Sequence, residues 1–217
     1  NSQVIKNLIT GKDTTNSDLS FFDQAGNQLA GVDFSIRLMS KSNLELYGQY
    51  IGEDGLDPII DDDIFGAIFP SKRFALGGLR YNLINLNTNW TFTLEHINTD
   101  SGHKNITYNH SLYKTGYRYK SNPIGASIDA DSHKSFISLQ RVSKRGLIKF
   151  KYQDMHLNQN GSEFTRFGQS EVHNKEFIFK LSRYINNNLR IELNFIKRDS
   201  NSELFKDIFF IKIEQQL

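Results

Sequence analysis

Residues 30–38 read AGVDFSIRL, and in this stretch apolar and polar side chains alternate. Successive side chains of a β-strand point to opposite faces, so the alternation predicts a strand with one apolar and one polar face. The same period of two returns in seven further segments: 44–50, 75–83, 89–95, 148–153, 176–182, 189–195 and 209–214. Weaker alternation covers 135–142 and 3–9, and no segment has a convincing helical period. The sequence therefore predicts an all-β protein of roughly ten antiparallel strands.

The composition excludes several classes of protein to which the chain could belong. The chain has 217 residues and a formal net charge of +2, which gives no electrostatic case for nucleic-acid binding. It contains no cysteine, which excludes a disulfide scaffold and thiol catalysis. No apolar run approaches the roughly 20 residues that a membrane-spanning helix needs. The aromatic content of 12% argues against a disordered chain.

Two architectures accommodate such strands. A soluble β-sandwich buries the apolar faces between two sheets, whereas a membrane barrel turns them toward lipid. Outer-membrane barrels have short turns at one rim and long loops at the other. In this chain, short connections alternate with long ones; the short ones are 39–43, 85–88, 143–146 and 186–188, and the long ones are 52–71, 97–134 and 157–174. We therefore predict an antiparallel transmembrane β-barrel, or the C-terminal half of a larger one, with short periplasmic turns and long extracellular loops.

The chemistry of the two faces agrees with a barrel. A hydrated lumen tolerates charges of both signs better than a dry sandwich interior does, and the polar positions include Lys149, Lys151, Lys180, Arg190 and Glu192. Aromatic residues that fall toward strand ends predict an interfacial girdle made of Tyr50, Tyr81, Trp90, Tyr152 and Tyr184.

The most distinctive stretch lies between the fourth and fifth clear strands. Residues 108–119 read YNHSLYKTGYRY, and residues 123–132 read PIGASIDADS. Shorter pieces precede them in the chain, namely GNQLAGVD at 26–33, LYGQYIGED at 46–54 and EHINTD at 95–100. Taken together, these pieces resemble the Wzi-type capsule assembly proteins over residues 26–132. Beyond residue 132, the strand pattern alone supports the resemblance.

The resemblance implies an outer-membrane barrel of about eighteen strands, of which residues 1–217 are a single, N-terminally truncated barrel domain. It implies a protein that is not an enzyme, that binds capsular or extracellular polysaccharide and that aids its attachment or assembly at the cell surface. The expected partners are this polysaccharide and outer-membrane lipid or lipopolysaccharide, and the expected state is a monomer with no cofactor and no nucleic acid. An outer-membrane enzyme acting on lipid or glycan and a porin-like channel stay open as alternatives.

The long loop in this stretch has side chains suited to sugars. Tyrosine and histidine offer a flat apolar surface and a polar edge, while Asp and Arg bind hydroxyl or uronic-acid groups. The candidate polysaccharide-binding residues are Tyr108, His110, Tyr113, Tyr117, Arg118, Asp129 and Asp131. The structural alternative is that the aromatic residues pack this loop into the mouth of the barrel.

Other polar clusters in the sequence give weaker indications of metal binding or catalysis. The loop 53–63 holds six carboxylates. Two interpretations are open: a calcium site, because carboxylate oxygens are calcium ligands, or a solvated acidic loop. The six histidines lack zinc-site spacing, so no metal ligand is assigned. Glu95–His96 and His110–Ser111 raise the idea of a catalytic pair. Adjacent residues of a strand point to opposite faces, however, so no catalytic residue is predicted.

Overall fold

The computed structural model describes residues 29–38, 43–53, 72–100, 107–109, 118–120, 122–161, 165–168, 170–185, 189–203 and 206–215. These residues form eleven β-strands: β1 (Leu29–Leu38), β2 (Leu44–Glu53), β3 (Lys72–Asn85), β4 (Thr88–Asn98), β5 (Arg118–Tyr119), β6 (Asn122–Pro123), β7 (His133–Ser143), β8 (Gly146–Leu157), β9 (Val172–Tyr184), β10 (Leu189–Ser200) and β11 (Ile208–Gln215). Among the described residues, no helix has the length and apolarity needed to cross a membrane.

Nine of the strands form one antiparallel sheet in the order β1-β2-β3-β4-β7-β8-β9-β10-β11, and β5 pairs only with β6. Each long strand pairs with the next long strand in the chain, which is the up-and-down connectivity of a barrel wall. Within the described ranges, no strand of this sheet packs face to face on another, and β1 does not pair with β11. The sandwich alternative is therefore wrong, and the sheet has the connectivity of part of a barrel.

The connections sort by length as predicted. Residues 86–87 join β3 to β4, and residues 144–145 join β7 to β8, so both are two-residue turns. The long connections, from β2 to β3, from β4 to β7 and from β8 to β9, all start at the opposite ends of the strands. We refer to the end of the sheet with the short connections as the short-turn rim and to the end with the long connections as the long-loop rim. The weakly alternating segment 135–142 is part of β7, whereas segment 3–9 lies outside the described residues.

The strand register gathers the apolar positions on one face. Phe150 lies opposite Leu139 on one neighbouring strand and Phe179 on the other, with ring centroids of Phe150 and Phe179 5.1 Å apart. On the same face, the ring of Phe34 occupies the space that a Cβ at residue 48 would need, so Gly48 lets the ring lie flat against β2. This side of the sheet is the apolar face, and the other side is the polar face.

Burial is inverted relative to a water-soluble protein. Among the described residues, the buried set contains 14 polar or charged residues and 8 hydrophobic ones. Large hydrophobic side chains of the apolar face are instead exposed, with Phe34 at 51% and Ile211 at 57%. Soluble proteins bury hydrophobic residues, whereas a membrane barrel turns them outward and keeps polar residues inside. The polar face is therefore the barrel interior.

Two carboxylates of the interior, Glu176 and Glu192, are held by cations and amides. The carboxylate of Glu176 accepts hydrogen bonds from Arg198 Nε at 2.6 Å and from Asn174 Nδ2 at 3.0 Å. Glu192 forms ion pairs with Lys180 at 2.7 Å and with Arg190 at 3.0 Å. Buried carboxylates are stable only with such partners. Predicted polar positions of both signs therefore meet on one face of the sheet.

Four of the five predicted girdle residues lie on the apolar face, namely Tyr50, Tyr81, Trp90 and Tyr152. The prediction is wrong for Tyr184, which lies on the polar face opposite Arg190. The Arg190 guanidinium lies over the Tyr184 ring at 5.9 Å from its centroid, an attractive cation–π arrangement.

Candidate functional site

We refer to the connection from β4 to β7, residues 99–132, as the rim loop. Its described residues, 99–100, 107–109, 118–120 and 122–132, lie over the polar face at the long-loop rim. Ile128 of the rim loop is 2% exposed and lies in a cluster with residues from three strands, Ile97, Met155, Leu157 and Val172. These strand residues form an apolar shelf at the top of an otherwise polar interior. Covering the shelf removes it from water, which draws the rim loop into the mouth of the barrel.

Asp129 is the centre of one hydrogen-bond network in the rim loop. Its carboxylate is fully buried and pairs with Arg118 Nη2 at 2.5 Å. It also accepts the backbone N–H of Ala130 at 2.8 Å and that of Arg166 at 3.0 Å. Arg118 in turn donates to the carbonyl of Tyr108 at 3.1 Å. One buried ion pair thereby joins segments that are distant in the sequence.

A second network is built around Asp131, which is 2% exposed. Its carboxylate accepts the backbone N–H of Asn160 at 2.8 Å and the side-chain amide of the same residue at 2.5 Å. Nearby, the buried Asn158 donates its side-chain amide to the carbonyl of Gly168 at 2.6 Å. The connection from β8 to β9 is therefore fastened to the rim loop.

Tyr108 is buried at 2% exposure and has a left-handed backbone with φ of 65°. Its ring packs edge-on against Phe74 at a centroid distance of 5.3 Å, and its hydroxyl accepts the N–H of Ala126 at 2.9 Å. Burial raises the pKa of the Tyr108 phenol above its ordinary value. A Cβ at residue 125 would lie 2.6 Å from the same hydroxyl, so Gly125 permits this close approach.

Beside Tyr108 lies a groove of about 530 Å³ between the rim loop and the polar face of β1–β4. Phe74, Tyr108 and Ile124 contribute apolar and aromatic walls. Asp33 and Gln49 contribute a polar edge, where Gln49 Nε2 donates to Asp33 Oδ1 at 2.7 Å. The groove thus combines a flat apolar surface with hydrogen-bonding groups of both kinds.

The structure describes four of the seven candidate residues and brings Tyr108, Arg118 and Asp129 together. Asp131 holds the adjacent network. Their polar groups bond to other parts of the chain, which is the arrangement that the structural alternative expects. Direct sugar binding by these residues stays a prediction, and His110, Tyr113 and Tyr117 lie outside the described residues.

Among the residues that the structure describes, the weaker clusters form no second site. Glu95 accepts a hydrogen bond from the Tyr47 hydroxyl at 2.8 Å on the polar face, whereas the adjacent His96 contacts Ser135 Oγ at 2.8 Å on the apolar face. Residues 54–63 of the acidic loop and the pair at 110–111 lie outside the described residues. In the part of the chain that the structure describes, no group of three or more His, Asp or Glu residues is placed to hold a metal ion.

Sequence reasoning missed Phe74, Asp33 and Gln49 as members of a site. Alternation assigned Asp33 and Gln49 to the polar face, but it contains no information on which part of that face a distant loop covers. The groove is formed by residues from four strands and the rim loop, so only the folded chain brings them together.

A single up-and-down sheet with an apolar exterior, a polar interior and a loop folded into one mouth defines part of a β-barrel. The sequence profile for capsule assembly protein Wzi matches residues 1–198. The chain therefore belongs to the Wzi family of capsule assembly proteins, which confirms the predicted resemblance.

A solved structure agrees on the fold. The chain is similar to Wzi of Escherichia coli, described as an outer membrane protein involved in group 1 capsule assembly and as a carbohydrate-binding β-barrel, with a TM-score of 0.68 and 20% identity. The match covers 87% of this chain and 40% of that chain, so this chain spans less than half of the matched structure. The predicted antiparallel barrel fold is confirmed. A search of curated proteins finds no match.

Proposed function

We propose that this chain is an outer-membrane barrel segment of a protein that binds capsular or extracellular polysaccharide without chemically altering it, and that aids attachment or assembly of the polymer at the cell surface. Membership of the Wzi family supports the role in capsule assembly. The inverted burial of polar and apolar residues supports placement in a membrane. We further propose that the apolar face contacts membrane lipid and lipopolysaccharide, and that the protein acts as a monomer.

The groove under the rim loop is the observation that carries the binding proposal. Sugar rings present apolar C–H faces and hydroxyl-bearing edges, so they need an aromatic wall next to polar groups. Phe74 and Tyr108 supply the wall, and Asp33 and Gln49 supply an acceptor and an amide at the opposite side. The position at the long-loop rim supports access from the extracellular side, where a surface polymer lies.

The rim loop has two roles in this proposal. Tyr108, Arg118, Asp129 and Asp131 fix its shape through the buried networks and so keep the groove open. Exposed parts of the loop, among them Tyr119 at 67% exposure, provide further contacts along the polymer. We extend the site to His110, Tyr113 and Tyr117 on the chemistry of their side chains. Repeated weak contacts along a polymer give avidity without a tight single site.

An array of immobilised neutral and acidic capsular polysaccharides, probed with the detergent-solubilised protein, tests the proposal. We expect binding to at least one polysaccharide. Asp33→Ala/Gln49→Ala should lower the apparent affinity about tenfold, because two hydrogen-bonding groups of the groove are lost.

The matched control is Ser35→Ala/Glu45→Gln. It alters another hydrogen-bonded pair on the polar face of β1 and β2, joined at 2.7 Å but nearer the short-turn rim. We expect the control variant to bind like the unaltered protein. Absence of binding to every polysaccharide, or equal losses in the two variants, contradicts the proposal.

A further inference from the structure

Cations gather on one part of the short-turn rim. Arg141 lies near the end of β7, Lys144 and Arg145 form the turn to β8, and Arg183 lies near the end of β9. We refer to these four residues as the rim cation cluster. β7, β8 and β9 are interior strands of the sheet, so their neighbours are fixed by this chain alone.

The strand register places the cluster around a groove on the apolar side. Arg183 lies opposite Gly146, and Arg141 lies opposite Ile148 on the same strand. Strands two apart are separated by about 10 Å, which two arginine side chains span from opposite sides. The groove has a volume of about 270 Å³, and its lining includes Arg141, Arg145, Arg183, Ile148 and Leu181.

The position of this groove is held by the backbone. Gly146 has φ of 140°, and a Cβ there would lie 1.9 Å from the carbonyl oxygen of Ser182, so no side chain fits. The N–H of Tyr184 donates to the carbonyl of Arg145 at 3.0 Å, which fastens the turn to β9. The turn cations are therefore held beside the strands of the apolar face.

Carboxylates are missing where these cations lie. In the described strands, the apolar face has acidic residues only toward the long-loop rim, at Asp154 and Asp199. At that rim, His173 pairs with Asp154 at 2.9 Å, and the flanking Glu171 and Asp207 pair with His156 and with Lys197, the latter at 2.8 Å. Within the same described residues, none of the four cluster cations forms an ion pair; Arg141 instead lies 5.7 Å from the ring centroid of Trp90. Like charges gathered without counter-charge favour an external anion.

We propose that the rim cation cluster binds the phosphate of an anionic phospholipid in the membrane leaflet at the short-turn rim. The guanidinium groups of Arg141 and Arg183 hold the phosphate from two sides, because planar guanidinium matches phosphate oxygens. The acyl chain lies along Ile148 and Leu181, which continue the groove toward the middle of the apolar face. This inference rests on the membrane placement proposed above, and it does not depend on polysaccharide binding.

The single tryptophan of the chain, Trp90, is a natural reporter because it lies opposite Arg141 in the register. The protein is reconstituted in phosphatidylcholine bilayers that contain either brominated phosphatidylglycerol or brominated phosphatidylcholine, and quenching of Trp90 gives the relative affinity for the two lipids. We expect a preference of at least about fivefold for the anionic lipid. Arg145→Gln/Arg183→Gln should reduce this preference to near one while leaving Arg141 next to the reporter.

The control Lys175→Gln/Lys197→Gln removes two positive charges from the apolar face at the opposite rim and should keep the preference. Added inorganic phosphate should not displace the lipid, because it lacks an acyl chain. Equal quenching by the two lipids, an unchanged preference in the arginine variant, an equal loss in the lysine variant, or displacement by inorganic phosphate each overturns the inference. Absence of quenching by both lipids also overturns it, and that result alone contradicts the membrane placement.

Discussion

Single residues of the rim loop and of the β8–β9 connection adopt left-handed backbone conformations that their side chains favour. Asp129, Asp131 and Asn158 have positive φ angles of 64°, 53° and 52°. Asp and Asn enter this left-handed region more easily than most residues, because their short polar side chains bond to nearby backbone groups. All three residues are buried. The carboxylates of Asp129 and Asp131 accept backbone N–H groups of the β8–β9 connection. The Asn158 amide donates to the carbonyl of Gly168 within that connection. Asp129 thus accepts the neighbouring N–H of Ala130 and the distant N–H of Arg166 at once, which fastens the rim loop.

At this scale, Asp129→Ala tests whether the buried ion pair holds the loop. The change leaves the Arg118 guanidinium, whose side chain is 10% exposed, without its carboxylate. Loss of one partner of a buried pair costs about 3–5 kcal/mol. We expect hydrogen exchange at the amides of Ala130 and Arg166, which donate to Asp129, to accelerate at least about a hundredfold.

The corresponding control is Asp154→Ala, which removes an exposed carboxylate paired with His173 at the same rim. Exposed ion pairs contribute little to stability, so protection of the rim loop should be retained. Unchanged exchange in Asp129→Ala would show that the network does not hold the loop.

At the scale of elements, strands were predictable from sequence and loop packing was not. The alternation in residues 30–38 arises from the same pleat that forms β1, so a local pattern reports a local structure. The Thr99 hydroxyl, by contrast, donates to the carbonyl of Asp129 at 2.6 Å across 30 residues of sequence. A contact between residues so far apart produces no periodic pattern in the sequence, so it could not be predicted from alternation. The girdle prediction for Tyr184 is wrong for a different reason: the residue has the same parity as Lys180, so the alternation of β9 already places it on the polar face.

The faces of β8 give a direct test of element orientation. Phe150 lies on the apolar face at 43% exposure, and the adjacent Lys149 lies on the polar face. Phe150→Lys should lower the free energy of unfolding by about 2–4 kcal/mol, because a charge enters the hydrocarbon region. Lys149→Gln should have little effect, since a polar side chain stays in a hydrated interior.

Reversible urea unfolding from lipid vesicles measures both free energies. The two variants change neighbouring residues of one strand, so each serves as the control for the other. Comparable losses of stability would mean that the faces are assigned to the wrong sides.

At the scale of the whole molecule, the two rims differ in charge as well as in loop length. The long-loop rim carries paired charges of both signs and the covered apolar shelf, whereas the apolar side of the short-turn rim carries the rim cation cluster. A barrel that is oriented in a membrane meets different surroundings at its two rims. The proposed glycan groove and the proposed lipid site therefore lie at opposite ends of one sheet and are tested independently.

Both proposals depend on which side of the sheet faces lipid, and the absence of cysteine makes this measurable. Single cysteines placed in neighbouring pairs, Leu139→Cys with Ser138→Cys and Leu193→Cys with Asn194→Cys, carry one polarity-sensitive fluorophore each. Side chains of consecutive strand residues point to opposite faces, so each pair compares the two sides at one depth. In vesicles, we expect labels at 139 and 193 to shift to shorter wavelength and to be quenched by lipid-borne quenchers. Labels at 138 and 194 should respond to aqueous iodide instead, because the lumen is hydrated. Equal responses within both pairs would contradict an apolar exterior and a polar interior.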